Sequence, residues 1–216
     1  MKELKVNLQN KIETQLAIKS ATDTLNNGGV IIYPTDTLYG LGANAFDESA
    51  ILKVFRIKKQ NRNKPISVIV KNIKMARRIA CIDSKVEKIL CRIWPGPITV
   101  VLRKKDNIPY LLTGNSETVA VRIPKNDFIL SLMNYLDYPI TATSANISGK
   151  KDLFDADAII ETFGTSEFSP DLFINSGKII NIKPSAIIDL TTADPKIIRM
   201  GVVGKDEMQR IFDQFI

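Results

Sequence analysis

The chain has 216 residues, 44% of them hydrophobic, which is enough for one domain with a substantial core. It contains no histidine, and its two cysteines lie ten positions apart, so histidine-based catalysis, histidine-ligated metals and a disulfide framework are excluded. The formal net charge is +7, and no run approaches the roughly 20 apolar residues of a membrane span.

Hydrophobic periodicity predicts helices that alternate with short strands along the chain. The predicted helices are 12–25, one capped by Asp47, one capped by Asn72, one capped by Ser84, 128–136, one from Asp155 to Gly164, and 206–212. The predicted strands are 30–33, 66–70, 98–102, 118–123, 139–143, 171–174, 185–190 and 196–199. This alternation favours an α/β or mixed α+β fold around one sheet, in a single domain over residues 1–216.

Polar loops follow two of the predicted strands. Thr35, Asp36 and Thr37 come just after strand 30–33, and residues 144–149 follow another strand. Loops at the ends of buried strands commonly hold the binding sites of α/β proteins. Asp36 could hold a magnesium ion or form an Asx-turn, and both alternatives remain open at this point.

Positive charge is concentrated between Lys53 and Lys105, where sixteen Lys and Arg residues meet only two carboxylates. Five of these cations fall within residues 56–64, with no carboxylate among them. Such a concentration indicates a polyanionic partner, either nucleotide phosphates or nucleic acid. A solvated, lysine-rich surface is the alternative explanation.

Several cations and polar side chains form one candidate site. Strand 118–123 alternates in polarity, so Arg122 is presented on its more polar face. Arginine binds carboxylates and phosphates through two parallel hydrogen bonds, and lysine neutralises phosphate oxygens. Taken with the basic loop 56–64, the loop 144–146 and Arg199, these residues describe a pocket for a nucleotide and a small carboxylate.

Several blocks of the sequence resemble the YrdC-like family, the threonylcarbamoyl-AMP synthases. In family order, the blocks are GGVIIYPTDTLYGLG (28–42), Lys58 with Lys64-Pro65, WPGPIT (94–99), TVAVR (118–122), SAN (144–146), SAIID (185–189) and IRMG (198–201). The resemblance covers roughly residues 12–201, and several ordered blocks are far more specific than one short motif. The chain resembles a short, single-domain form of this family.

The resemblance implies a twisted mixed β-sheet with flanking helices around a positively charged cavity. It also implies a cytoplasmic nucleotidyltransferase that condenses L-threonine, bicarbonate and ATP into L-threonylcarbamoyl-AMP and releases pyrophosphate. Mg²⁺ is expected to accompany ATP without a dedicated protein ligand. A downstream complex would then transfer the threonylcarbamoyl group to adenosine 37 of tRNA, the t6A modification.

Roles for individual residues follow from the same resemblance. Catalysis is expected from Lys58, Arg62, Ser144 and Asn146. Binding of L-threonine is expected from Thr35, Lys58, Arg122 and Ser185. Binding of ATP is expected from Lys58, Arg62, Thr118, Thr143, Ser144, Asn146 and Arg199.

One position departs from the family pattern, in which Lys-x-Arg is usual. Gln60 stands where arginine is expected, and Arg62 lies two positions further on. We hypothesise that Arg62, with Lys59, supplies the missing charge.

Two other functions are compatible with the sequence. One is a double-stranded RNA or tRNA binder that uses residues 53–105 without catalysis, and a tRNA contact through this segment is also compatible with the enzyme. The other is a carbamoyl-handling relative in the same superfamily that acts on a different amine or hydroxyl.

Overall fold

The computed structural model describes residues 1–179, 183–192 and 194–213. Its helices are α1 (Lys11–Asn26), α2 (Glu48–Lys58), α3 (Ile73–Ile79), α4 (Ser84–Ile93), α5 (Tyr110–Thr113), α6 (Asp127–Met133), α7 (Ala156–Phe163) and α8 (Lys205–Asp213). Its strands are β1 (Lys2–Lys5), β2 (Ile31–Tyr33), β3 (Gly40–Gly42), β4 (Val68–Ile69), β5 (Ile98–Arg103), β6 (Thr118–Arg122), β7 (Ile140–Thr141), β8 (Thr143–Ser144), β9 (Leu172–Asn175), β10 (Ala186–Asp189) and β11 (Lys196–Arg199).

The described strands form two mixed sheets, whereas the sequence suggested one. The first sheet has the order β1-β9-β2-β3-β8, and the second has the order β11-β10-β5-β6-β4-β7. Both sheets contain parallel and antiparallel neighbours, such as parallel β2 and β9 beside antiparallel β2 and β3. One hydrophobic cluster includes Ile32 of the first sheet and Val100 of the second. The prediction of a mixed α/β fold with flanking helices is therefore confirmed.

Side-chain caps begin several helices where the sequence predicts them. Asp47, Asn72 and Asp155 each accept hydrogen bonds from backbone N–H groups in the first turn of their helices. The prediction for α4 is wrong by one residue, because Asp83 caps this helix and Ser84 is its first helical residue. Aspartate and serine are similarly good caps, so sequence preference alone does not choose between neighbours.

The short strand β3 is an element that the sequence did not predict. It pairs with β2, where Tyr33 lies opposite Gly40. The hydroxyl of Tyr33 donates to the carbonyl of Thr141 at 3.0 Å. A Cβ atom at Gly40 or at Gly42 would lie 2.6 Å from the Tyr33 ring. Glycine therefore lets β3 cross this buried ring, although glycine is depleted in ordinary strands.

None of the helices in the described part of the chain combines the length and apolar character that crossing a bilayer requires. Cys81 and Cys91 are free thiols at exposed positions.

Candidate active site

A cavity of about 590 Å³ is lined by strands of both sheets. Five of its described lining residues are lysines or arginines, and one is a carboxylate. These charged residues are Lys58, Lys64, Arg122, Lys150, Arg199 and Asp152. An excess of fixed positive charge in a concave site attracts and concentrates anionic ligands.

Arg122, the last residue of β6, is fixed by acceptors from two other segments. Its Nε donates to the carbonyl of Gly96 at 3.0 Å, and its Nη1 donates to Oγ1 of Thr37 at 3.1 Å. Its Nη2 donates to Oδ1 of Asp36 at 2.6 Å, which forms a largely buried ion pair. Burial lowers the pKa of Arg122 while Asp36 raises it, and a guanidinium remains charged in either case.

The contacts of Asp36 bear on the alternatives that the sequence left open. One carboxylate oxygen accepts from Arg122, and the other accepts from the backbone N–H of Lys125 at 3.1 Å. Both oxygens therefore position the arginine and the segment that follows β6, so Asp36 serves the polar loop as a counter-ion.

Lys58, the last residue of α2, is only 3% exposed, and its ammonium contacts the loop after β8. It donates to the carbonyl of Ser144, to the carbonyl of Asn146 and to Oδ1 of Asn146, the latter two at 2.9 Å. Burial lowers the pKa of Lys58 to about 8; nearby Lys64 also lowers it, and Asp152 raises it. Since an ammonium has three hydrogens, these bonds commit Lys58 to the loop.

A second polar network at the cavity wall joins β5 and β11 to Ser185, the residue just before β10. The hydroxyls of Thr99 and Ser185 share a hydrogen bond of 2.9 Å. Arg199 donates from Nε to the carbonyl of Ser185 at 3.0 Å and from Nη2 to its Oγ at 3.4 Å. Burial lowers the pKa of Arg199, and the charge of Asp152 raises it.

Most of the residues implied by the family resemblance meet at this cavity. Those that line it are Thr35, Lys58, Arg122, Thr143, Ser144, Asn146, Ser185 and Arg199. The hydroxyl of Thr35 is used within its own loop, where it donates to the carbonyl of Leu38 at 2.6 Å. Ser144 donates from Oγ to Oδ1 of Asn146 at 2.9 Å.

Arg62 and Thr118 lie outside the cavity lining. Arg62 is exposed, and the hydroxyl of Thr118 is hydrogen-bonded to that of Ser116 at 2.8 Å. Their assigned roles in ATP binding, and that of Arg62 in catalysis, stay predictions.

Other lining residues received no individual role from the sequence, among them Lys64, Lys150 and Asp152. Lys64 had a signal, because it belongs to the basic loop and stands directly before Pro65 in a family-like block. Lys150 and Asp152 follow the loop 144–149 without regular periodicity, so no local pattern placed them in the cavity.

A protein-family model described as "Telomere recombination", which unites Sua5, YciO and YrdC proteins, matches residues 23–201. The chain belongs to this Sua5/YciO/YrdC family. A Sua5/YciO/YrdC relative from Pyrococcus abyssi, named threonylcarbamoyl-AMP synthase, is 34% identical over 211 residues, or 97% of this chain and 61% of the relative. A relative of the same name from Hydrogenovibrio crunogenus is 32% identical over 182 residues, covering 82% of this chain and 95% of the relative.

Solved structures of Sua5/YciO/YrdC proteins share this fold. The crystal structure of P. abyssi Sua5 complexed with L-threonine matches with a TM-score of 0.89 at 32% identity, over 98% of this chain and 61% of that one. The structure of E. coli YciO matches with a TM-score of 0.80 at 25% identity, over 93% and 95% of the two chains. The chain thus spans about three fifths of the P. abyssi protein and nearly all of YciO.

Proposed function

We propose that this chain is an L-threonylcarbamoyladenylate synthase, a nucleotidyltransferase that condenses L-threonine, bicarbonate and ATP and releases pyrophosphate. The observation that carries the proposal is the cavity in which a rigidly held arginine shares the walls with four other cations. The names of the relatives support it, as does the L-threonine bound to P. abyssi Sua5.

Arg122 is the proposed partner of the threonine carboxylate. Its contacts with described residues use three of the five guanidinium N–H donors, which leaves two for a ligand. A guanidinium that is already fixed in place loses little conformational entropy when a carboxylate binds. Ser185, which lines the same cavity, is the proposed partner for other polar groups of the amino acid.

The proposed reaction needs no nucleophile from the protein. The threonine amine loses a proton and joins bicarbonate, and water leaves as the carbamate forms. An oxygen of the carbamate then attacks the α-phosphorus of ATP, and the bond to pyrophosphate breaks. Charge develops on phosphate oxygens during this step, so preorganised cations and N–H donors supply the stabilisation. This mechanism is compatible with a chain that lacks histidine.

Mg²⁺ is expected to enter with ATP. In sites of this kind it is held by substrate phosphates together with one or two carboxylates. Asp152 is the carboxylate among the described lining residues, so it would add one protein ligand. The magnesium ion would neutralise charge on the departing pyrophosphate.

The decisive test is release of pyrophosphate by the purified protein with ATP, magnesium and bicarbonate. We expect release that requires L-threonine, since threonine supplies the attacking carbamate. Omission of bicarbonate, with dissolved carbon dioxide removed, is the matched control. Pyrophosphate release that is equally fast without threonine would contradict the proposal.

From the lowered pKa of the buried Lys58 we expect opposite effects of rising pH, a fall in kcat and a rise in the free energy of unfolding. Above about pH 8 the neutral amine keeps two hydrogens, so one bond to the loop is lost and kcat should fall. The pKa of Lys58 is lower in the folded chain than its ordinary value of 10.5, so between these values the unfolded state binds more protons. Lys58 therefore makes the free energy of unfolding rise with pH in that window.

These two effects are checked by the pH profile of kcat and by urea unfolding at pH 7 and pH 9. Asp152→Asn serves as the matched variant, because the charge of Asp152 raises the pKa of Lys58. Only the pH at which kcat falls is compared with the wild type, since Asp152 is also the proposed ligand of magnesium and its loss would change kcat itself. The kcat profile of this variant should fall at a lower pH than that of the wild type. A kcat that stays constant through pH 8 to 10 would disprove the role of the Lys58 network in turnover.

The downstream transfer complex, the cytoplasmic location and tRNA contact through residues 53–105 stay predictions. A protein that binds RNA through its backbone loses affinity steeply with salt and is indifferent to threonine. Titration of duplex RNA and tRNA at several salt concentrations, with and without threonine, therefore separates this alternative from the enzyme.

A further inference from the structure

Two lysines at the cavity, Lys64 and Lys150, take no part in the networks described above. Both line the cavity and are exposed to solvent. Neither ammonium makes a hydrogen bond or ion pair to another residue within the described part of the chain. They are therefore available to a ligand that enters the cavity.

Each of these lysines is positioned by a buried carboxamide that bonds to its backbone. Gln60 donates from Nε2 to the carbonyl of Lys64 at 3.2 Å, and Asn146 donates from Nδ2 to the carbonyl of Lys150 at 2.8 Å. Gln60 is 8% exposed and Asn146 is 7% exposed, so both amides are sheltered from competing water. The two lysines thus have the same arrangement, an exposed side chain on a backbone whose carbonyl accepts a hydrogen bond from a buried amide.

The two lysine-bearing segments are both attached to the C-terminal end of α2. The backbone N–H of Gln60 donates to the carbonyl of Phe55 at 3.0 Å, which closes the helix end. The backbone N–H of Ser148 donates to the carbonyl of Lys58 at 2.8 Å, which ties the loop before Lys150 to the same end. Lys64 also lies near enough to Lys58 to lower the pKa of Lys58.

Each of the other cations of the cavity already makes hydrogen bonds or an ion pair within the described part of the chain. Lys58 gives its three hydrogens to loop oxygens, Arg122 is paired with Asp36, and Arg199 bonds to Ser185. The five cations outnumber the one carboxylate of the described lining, so they repel one another, and a bound polyanion would relieve that repulsion. A polyphosphate has the charge that two lysines at the rim of such a cavity can neutralise.

We propose that Lys64 and Lys150 form a clamp for a polyphosphate, namely the β- and γ-phosphates of ATP and the pyrophosphate that they become. Gln60 and Asn146 are the positioning residues of this clamp. The proposal rests on the proposed function, and it gives Gln60 a role at the position where the family pattern has arginine. In this chain the charge comes from a lysine whose backbone Gln60 holds.

The test uses inorganic pyrophosphate as the probe and calorimetry on the full chain. Lys64→Met and Lys150→Met should each weaken pyrophosphate binding about tenfold, because each removes a charge-assisted hydrogen bond. Lys19→Met is the matched control, since Lys19 is exposed on α1 outside the cavity and the change in net charge is the same. Steady-state kinetics should show a higher KM for ATP and an unchanged KM for threonine.

The positioning role of Gln60 has a separate readout. Gln60→Ala should weaken pyrophosphate binding in the wild-type background but have little further effect in the Lys64→Met background. A purely structural role would give the same loss in both backgrounds. Thermal unfolding of each variant confirms that it is folded before its affinity is compared.

Failure of the clamp can be distinguished from failure of the proposed function. If the wild type releases pyrophosphate with threonine but both methionine variants bind pyrophosphate normally, the clamp is wrong and the function stands. If Arg62→Met, and neither lysine variant, loses affinity, the charge comes from Arg62 and the clamp is also wrong. An equal loss of pyrophosphate affinity in Lys19→Met would show that net charge alone causes the effect, and the clamp would be wrong. A wild type that binds neither ATP nor pyrophosphate would overturn the clamp and the function together.

Discussion

Arg122→Ala is expected to abolish threonine-dependent pyrophosphate release and to lower the free energy of unfolding by about 3 kcal/mol. The first effect follows because the cation proposed for the threonine carboxylate is lost. The second follows because the poorly solvated Asp36 carboxylate would lose the guanidinium charge that lies 2.6 Å away in the wild type. Threonine titration by calorimetry and urea unfolding measure the two effects separately.

Two further variants separate binding from stability. Arg122→Lys keeps the charge but loses the planar fork, so it should retain much of the stability and little of the threonine affinity. Combining Arg122→Met with Asp36→Asn removes both charges, so it should recover stability without recovering activity. If Arg122→Ala bound threonine with normal affinity, the carboxylate site would have to lie elsewhere in the cavity.

Gly201→Ala is expected to destabilise the fold by about 3 kcal/mol, through two costs that add. Gly201 has φ of +57°, which disfavours residues with a Cβ atom. A Cβ atom there would also lie 2.3 Å from the carbonyl carbon of Ser185, and the backbone would have to move to accommodate it. Because Ser185 lines the cavity, this movement should also raise the KM for threonine.

Gly177→Ala isolates the conformational part of that effect. Gly177 has φ of +85°, but a Cβ atom there would meet no other atom within 4 Å. We therefore expect a loss of about 1 kcal/mol in this variant and no change in KM. Equal losses for Gly177→Ala and Gly201→Ala in urea unfolding would show that contact with Ser185 contributes nothing.

The sequence predicted the parts of the fold that depend on local pattern. Apolar runs identify β2 and β5, and capping residues such as Asp47 identify the starts of helices. The sequence did not predict β3, because glycine is a poor strand former. Glycine suits this strand because a Cβ atom at Gly40 or Gly42 would collide with the ring of Tyr33. The sequence also did not reveal that the strands divide into two sheets, since pairing between distant strands leaves no periodic signal.

The same distinction holds at the site. Family-like blocks identified Lys58 and Asn146 as site residues. They did not reveal that the ammonium of Lys58 bonds to a loop 86 residues or more away in the chain. That contact depends on how a helix end meets a distant strand. Likewise, Gln60 reads as a missing charge in the sequence, whereas in the structure its side chain holds the backbone of Lys64.

The cavity walls come from two sheets whose strands are interleaved along the chain, from β2 near the start to β11 near the end. The complete site therefore exists only when both sheets have folded and docked. A ligand that binds only this assembled state stabilises it by mass action, by about 2.7 kcal/mol at a hundredfold excess over Kd. Substrate supply would then affect how long the folded chain survives proteolysis as well as how fast it turns over.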